Sequence, residues 1–171
     1  KGTFYSLNMF YVADAQKDNA DTINKALKEG KNLLLTPGIY TLDKPITVEE
    51  KDTIIYGMGL ATLVSTNGNA CMVTSDADGI KVCGVLFEAG DKQSETLLKV
   101  GNEKAEVSHS DNPICFSDVY FRVGGANYKG KVKNCVTINS NDVIGDNFWV
   151  WRADQGDNVG WDMNTAPNGI V

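Results

Sequence analysis

Asp154, Asp157 and Asp162 lie close together beside aromatic residues, with Arg152 just ahead of them. Carboxylates in such a group suit general acid/base chemistry. Two carboxyl groups flanking a glycosidic bond cleave it with retention when about 5–5.5 Å apart and with inversion at about 6.5–9.5 Å. Arg152 could orient one carboxylate or bind a sugar hydroxyl. The competing reading is local, because aspartates at tight turns also close Asx-turns or cap strand ends.

Trp149 and Trp151 are two residues apart, so on a strand they share one face. Facing outward, they offer flat aromatic surface for stacking on pyranose rings; covered, they are packing. Tyr120 extends the same surface if the strand carrying it stacks on theirs. Glu88 can pair with Arg122 across one strand spacing, an exposed pair worth roughly 0.2–1 kcal/mol.

Other chemistries find less support. The single histidine, His109, sits in the polar stretch from Glu103 to Asn112 and reads as loop decoration, with no second residue to build a nucleophile–base triad. Cys71, Cys83, Cys115 and Cys135 have no CxxC or Cys/His spacing, and read as small buried hydrophobes, with a disulfide as the alternative. Gly57-Met58-Gly59 lacks the third glycine and the strand-to-helix setting of a phosphate loop, so turn formation accounts for it better. No metal and no cofactor is expected.

The elements that must position these side chains are strands. Gly84-Val85-Leu86-Phe87-Glu88-Ala89, Asp118-Val119-Tyr120-Phe121-Arg122-Val123 and Asn147-Phe148-Trp149-Val150-Trp151-Arg152 superpose: a turn-compatible residue, then strict alternation. The alternation turns Val85, Phe87 and Ala89, Val119, Phe121 and Val123, and Phe148 and Val150 inward. It turns Leu86, Tyr120 and Trp149 outward in one column and Glu88, Arg122 and Trp151 in the next. Shorter apolar runs and Asn/Asp/Ser/Gly turns precede each segment, giving a unit of about twenty residues where no loop interrupts it. This is the pattern of an all-β solenoid, whose rungs lie about 4.8 Å apart, close enough for carboxylates of adjacent rungs to meet either catalytic spacing.

Residues 1–18 read as an extended lead-in with Phe4, Tyr5, Phe10 and Tyr11 as packing anchors. Residues 19–31 hold the one good helix, with Ile23, Ala26 and Leu27 on one stripe, Asn19 or Asp21 as N-cap and Gly30 as the stop. Such a helix plugs the open end of a solenoid. Residues 32–171 read as rungs of one domain. The far end, Ile170-Val171, stops in mid-rung, which predicts further rungs or another chain against it, and the start at Lys1 reads as that of a mature or excised piece.

The composition agrees. Seventeen glycines and four prolines among 171 residues suit many tight turns. A net charge of −6 argues against nucleic acid as a partner, and no apolar run is long enough for membrane insertion.

Four stretches carry a resemblance: GKNLLLTPGIYT at 30–41, FSDVYFRVGG at 116–125, WVWRADQG at 149–156 and VGWDMNTAPNGIV at 159–171. Together they resemble secreted bacterial proteins of the pectate-lyase-like superfamily, especially those near glycoside hydrolase family 55 and found beside discoidin-type (coagulation factor 5/8) domains. The resemblance implies a right-handed parallel β-helix, an extracellular or cell-surface setting and a polysaccharide or oligosaccharide partner. It matches no carboxylate here to a family acid. The resulting expectation is part of an extracellular glucan-directed glycoside hydrolase with Asp154, Asp157 and Asp162 as candidate catalytic acids and Tyr120, Trp149, Trp151 and Arg152 as candidate substrate contacts. The alternatives are a non-catalytic carbohydrate-binding or adhesive surface β-helix, or a scaffold for a catalytic region beyond residue 171.

Overall fold

Three of the long strands carry one residue held in the left-handed region, where the strand changes direction partway along its circuit. Gly84, Asp118 and Asn147 occupy it with φ of +71°, +51° and +55°. Glycine does so without strain, and Asp and Asn tolerate it best among the others. The computed structural model describes residues 2–101, 103–105, 107–125, 129–156, 159 and 163–171.

Among the described residues twelve strands are assigned: β1 Phe10–Ala13, β2 Asn32–Leu35, β3 Ile39–Leu42, β4 Ile46–Val48, β5 Ile54–Ser65, β6 Met72–Thr74, β7 Lys81–Glu88, β8 Ser94–Val100, β9 Ile114–Val123, β10 Val132–Ile138, β11 Val143–Arg152 and β12 Asn168–Ile170. All pair in parallel, in two sheets. One runs β1-β2-β5-β7-β9-β11 with β3 also on β5, and the other runs β4-β6-β8-β10-β12. β1, β2 and β3 all lie in the first sheet, and from β4 onward the chain alternates between the sheets, so each later circuit lays one strand on each, which is a parallel β-helix. Crossovers between parallel strands take the right hand almost without exception.

The interior is a set of columns. Ile46, Met72, Leu98 and Val136 stack in register through the second sheet, and Ile170, 51% exposed, continues the column on β12. Leu63, Phe87, Phe121 and Val150 stack through the first, as the alternation predicts. The Phe87 and Phe121 rings lie 5.1 Å apart and 11° from parallel. The circuit is longer than the expected twenty residues. Stacked partners are 26 residues apart from Glu49 to Ser75, 38 from Glu95 to Lys133 and 34 from Asn134 to Asn168. The connections absorb the surplus, because backbone ladders fix only the strands.

The helix α1, Ala20–Lys28, covers the end formed by β1, β2 and β4. Asn19 and Thr22 cap it reciprocally, and Ala20, Ile23, Ala26 and Leu27 turn inward. Asn24 reaches from it to the edge strand β4, accepting from the Thr47 N–H at 2.8 Å and donating to the Pro45 carbonyl at 2.9 Å. An edge that could recruit another strand is thereby closed. The expected lead-in contains β1, paired with β2, so Phe10 and Tyr11 belong to the sheet. Phe4 is 99% exposed and anchors nothing.

Candidate functional site

The outward columns of the first sheet meet the expectation in part. Thr62, Leu86, Tyr120 and Trp149 stand in register, as do Val64, Glu88, Arg122 and Trp151. The two columns border a cleft of about 360 Å³ lined by Leu60, Leu86, Tyr120, Arg122, Trp149 and Trp151. Trp149 is 60% exposed, and its ring lies 6.1 Å from that of Trp151 with 32° between the planes. Both indoles are thus held at one wall of the cleft, close enough to act together on one flat ligand.

Leu60 enters through an irregularity in β5. Tyr56 pairs with Cys83 but Ala61 with Val85, so the register slips between them. Gly59 and Leu60 both have φ of +58° there. A bulge re-aims side chains that regular pleating would send elsewhere, and this one leaves Leu60 57% exposed at the cleft. Gly57-Met58-Gly59 is therefore part of a bulge.

At the corner below Tyr120, the Asn147 side chain donates to Asp118 Oδ1 at 2.6 Å and lies 3.4 Å from the Tyr120 hydroxyl. Asn147 and Asp118 are the bend residues of successive circuits, so the device that turns the chain also braces the tyrosine.

The Glu88–Arg122 pair departs from expectation. It is not an exposed pair: Glu88 is 1% exposed and Arg122 28%. Arg122 donates from Nε to Glu88 Oε1 at 3.0 Å and from Nη2 to Oε2 at 2.8 Å, a two-pronged contact. Val64, itself buried, stands on the other side of Glu88 in the same column.

The remaining candidates divide. Asp154 accepts a hydrogen bond from Trp151 Nε1 at 3.2 Å, which puts its carboxylate at the edge of the aromatic wall. Arg152 pairs with Val123 and follows the alternation to the opposite face from Trp151, so it does not line the cleft. Asp157 and Asp162 lie outside the described residues. The cation that does line the cleft, Arg122, was legible from its place between the inward Phe121 and Val123.

A second polar cluster lies away from the cleft. His109 is buried, with Nε2 2.8 Å from Asp76 Oδ1 and Nδ1 2.6 Å from Asp78 Oδ1. Its backbone N–H and the Ser108 hydroxyl both donate to Asp142, and Asn112 donates to Asp52. His109 is therefore a pin, not a loop ornament, fastening its segment to the circuits on either side. The Asp76 bond, then the Asp78 bond, raise its pKa above the ordinary imidazole value against the opposing effect of burial. The Ser108 hydroxyl, then the His109 N–H, hold Asp142 below the ordinary carboxylate range. All four cysteines are free; burial pushes the Cys71 thiol up to about 12 and the Cys135 thiol to about 11.

Two sheets wound into a parallel β-helix, with an aromatic cleft on an outer face, define the class. The sequence pattern of the LAM55 pectate lyase-like domain matches residues 10–171, and the chain belongs to that family. It is 44% identical over 170 residues to an exo-beta-1,3-glucanase of Streptomyces sp. (strain SirexAA-E / ActE), covering 99% of this chain and 28% of that protein. The solved structure of sacteLam55A from Streptomyces sp. SirexAA-E superposes with a TM-score of 0.93 at 44% identity, over 96% of this chain and 30% of that one. A variant of sacteLam55A in complex with glucose superposes with a TM-score of 0.92. The chain thus spans under a third of the length of these relatives.

Proposed function

We propose that this chain is the glucan-contacting part of an extracellular, secreted bacterial glycoside hydrolase directed at β-1,3-glucan and working by carboxylate acid/base chemistry. The observation that carries the reading is the outward set of Tyr120, Trp149 and Trp151 on one cleft with Arg122. Exposed aromatic faces beside a few hydrogen-bonding groups match a pyranose, whose ring faces are apolar and whose edges carry hydroxyls. The name of the Streptomyces relative supports the linkage.

Asp154, Asp157 and Asp162 remain the proposed acids of this stretch, with Asp154 at the rim. One observation favours a second division of labour: among the described residues the cleft lining includes no carboxylate. On that reading this stretch holds the polymer, and the cleaving pair comes from elsewhere in the protein.

The test replaces Trp149 and Trp151 by Ala in the intact protein. Loss of two stacking contacts predicts about a tenfold weaker affinity for a linear β-1,3-gluco-oligosaccharide, measured by calorimetry, with little change in melting temperature. Unfolding without a separable binding defect would make the pair packing. Asp154→Asn separates the two divisions of labour: a collapse of kcat makes Asp154 an acid, whereas an unchanged kcat moves the chemistry elsewhere.

A further inference from the structure

Glu88 is a carboxylate only 1% exposed, and it stands in the outward column between Val64 and the cleft-lining Arg122. A carboxylate is costly to desolvate, and an ion pair in such a place adds little net stability over well-packed apolar side chains. The neighbouring outward column carries Leu86 at the equivalent step, so the sheet accommodates an apolar residue there. The pair therefore calls for a reason other than stability.

Geometry supplies one. A guanidinium has five N–H donors in one plane. Glu88 occupies one at Nε and one at Nη2, and this fixes the plane and rotation of the Arg122 head group. The other three donors have no partner among the described residues, and Arg122 lines the cleft with Trp149 and Trp151. Its charge is meanwhile balanced by Glu88.

We propose that Arg122 is a sugar-binding residue that donates to neighbouring hydroxyls of a pyranose stacked on the tryptophans, and that Glu88 is its positioning residue and sets a preference for uncharged over anionic glucan. The inference rests on the glucan reading above. A fixed, charge-balanced fork bonds neutral oxygens without drawing in carboxylate or sulfate groups, whereas an unbalanced guanidinium would draw them in.

The experiment compares Glu88→Gln, the double variant E88Q/R122Q and Trp149→Ala with the parent, all in the intact protein. The probes are a linear β-1,3-gluco-oligosaccharide and its carboxymethylated counterpart, titrated calorimetrically at low and high salt. E88Q is expected to weaken the neutral ligand about tenfold and to strengthen the anionic one severalfold at low salt. The double variant should lose the neutral ligand to a similar degree with no anionic gain. An unchanged neutral-to-anionic ratio in E88Q, with only a lower melting temperature, makes the pair structural and overturns the proposal. Should E88Q fail to fold, parental neutral affinity in the double variant overturns it equally. Trp149→Ala separates the premises: unchanged affinity there sinks the aromatic cleft and this inference with it. A loss in Trp149→Ala alongside an unchanged E88Q ratio removes only the role of Arg122.

Discussion

Replacing His109 by Gln should destabilise the protein most below about pH 6.5 and progressively less above it. The folded pKa of His109 is raised, chiefly by its bonds to Asp76 and Asp78. Below the ordinary imidazole value of about 6.5 both folded and unfolded states are protonated, and the clamp contributes in full. As pH climbs through the folded pKa the ring loses a proton, can donate to only one carboxylate, and turns a lone pair toward the other. Two charge-assisted bonds at roughly 1.5–3 kcal/mol each set the ceiling. The Asp78 side chain is 46% exposed, so its bond counts well below that range, and about 2–4 kcal/mol remains in acid. The groups facing the ring and its segment are Asp76 and Asp78 after β6 and Asp142 between β10 and β11, with Asp52 reached through Asn112. Urea denaturation of parent and H109Q between pH 5 and 9, with amide exchange at residues 107–112, gives the difference directly. A stability gap that stays constant across that range would refute the imidazolium clamp.

Phe121→Ala removes a fully buried ring stacked on Phe87 and tilted against Phe148. It should cost about 3–5 kcal/mol in chemical denaturation, and a loss under about 1 kcal/mol would mean the inner column is loosely packed. Cys71 and Cys135 should resist a disulfide reagent at neutral pH until the protein unfolds, because their thiols are buried and pushed far above neutrality; labelling of either in the native state would show that the interior opens.

The three superposable segments were legible because the backbone constrains them twice. The bend needs a residue that tolerates positive φ, and Gly84, Asp118 and Asn147 supply it; the strand beyond each bend alternates because one of its faces is buried. Tyr120, Trp149 and Trp151 came with that register. The same two-residue period puts Arg152 on the face opposite Trp151, so its separation from the cleft was in principle readable. Glu88 was not. Alternation says which way a side chain points, and outward means exposed only where its neighbours leave it open; here Val64 and Arg122 flank Glu88 from the two adjacent strands. His109 escaped for a related reason. Its partners Asp76 and Asp142 stand more than thirty positions away on either side, and contacts made by an irregular segment leave no periodic trace. The bulge that delivers Leu60 was visible as two glycines, but glycine marks that a backbone departs from regularity without saying where the next side chain goes.

The outward ladder of Leu86, Tyr120 and Trp149 is in effect a ruler. Its graduations are set by the hydrogen-bonding distance between parallel strands, about 4.8 Å, which no side-chain substitution alters. Selection can rewrite what each graduation displays, exchanging an aromatic for an aliphatic or a cation, but it cannot stretch or compress the scale. A preference for longer or shorter ligands on this face therefore has to change by gaining or losing whole circuits, or by a slip like the one in β5, and point substitutions are left to tune strength and charge selectivity at a fixed pitch.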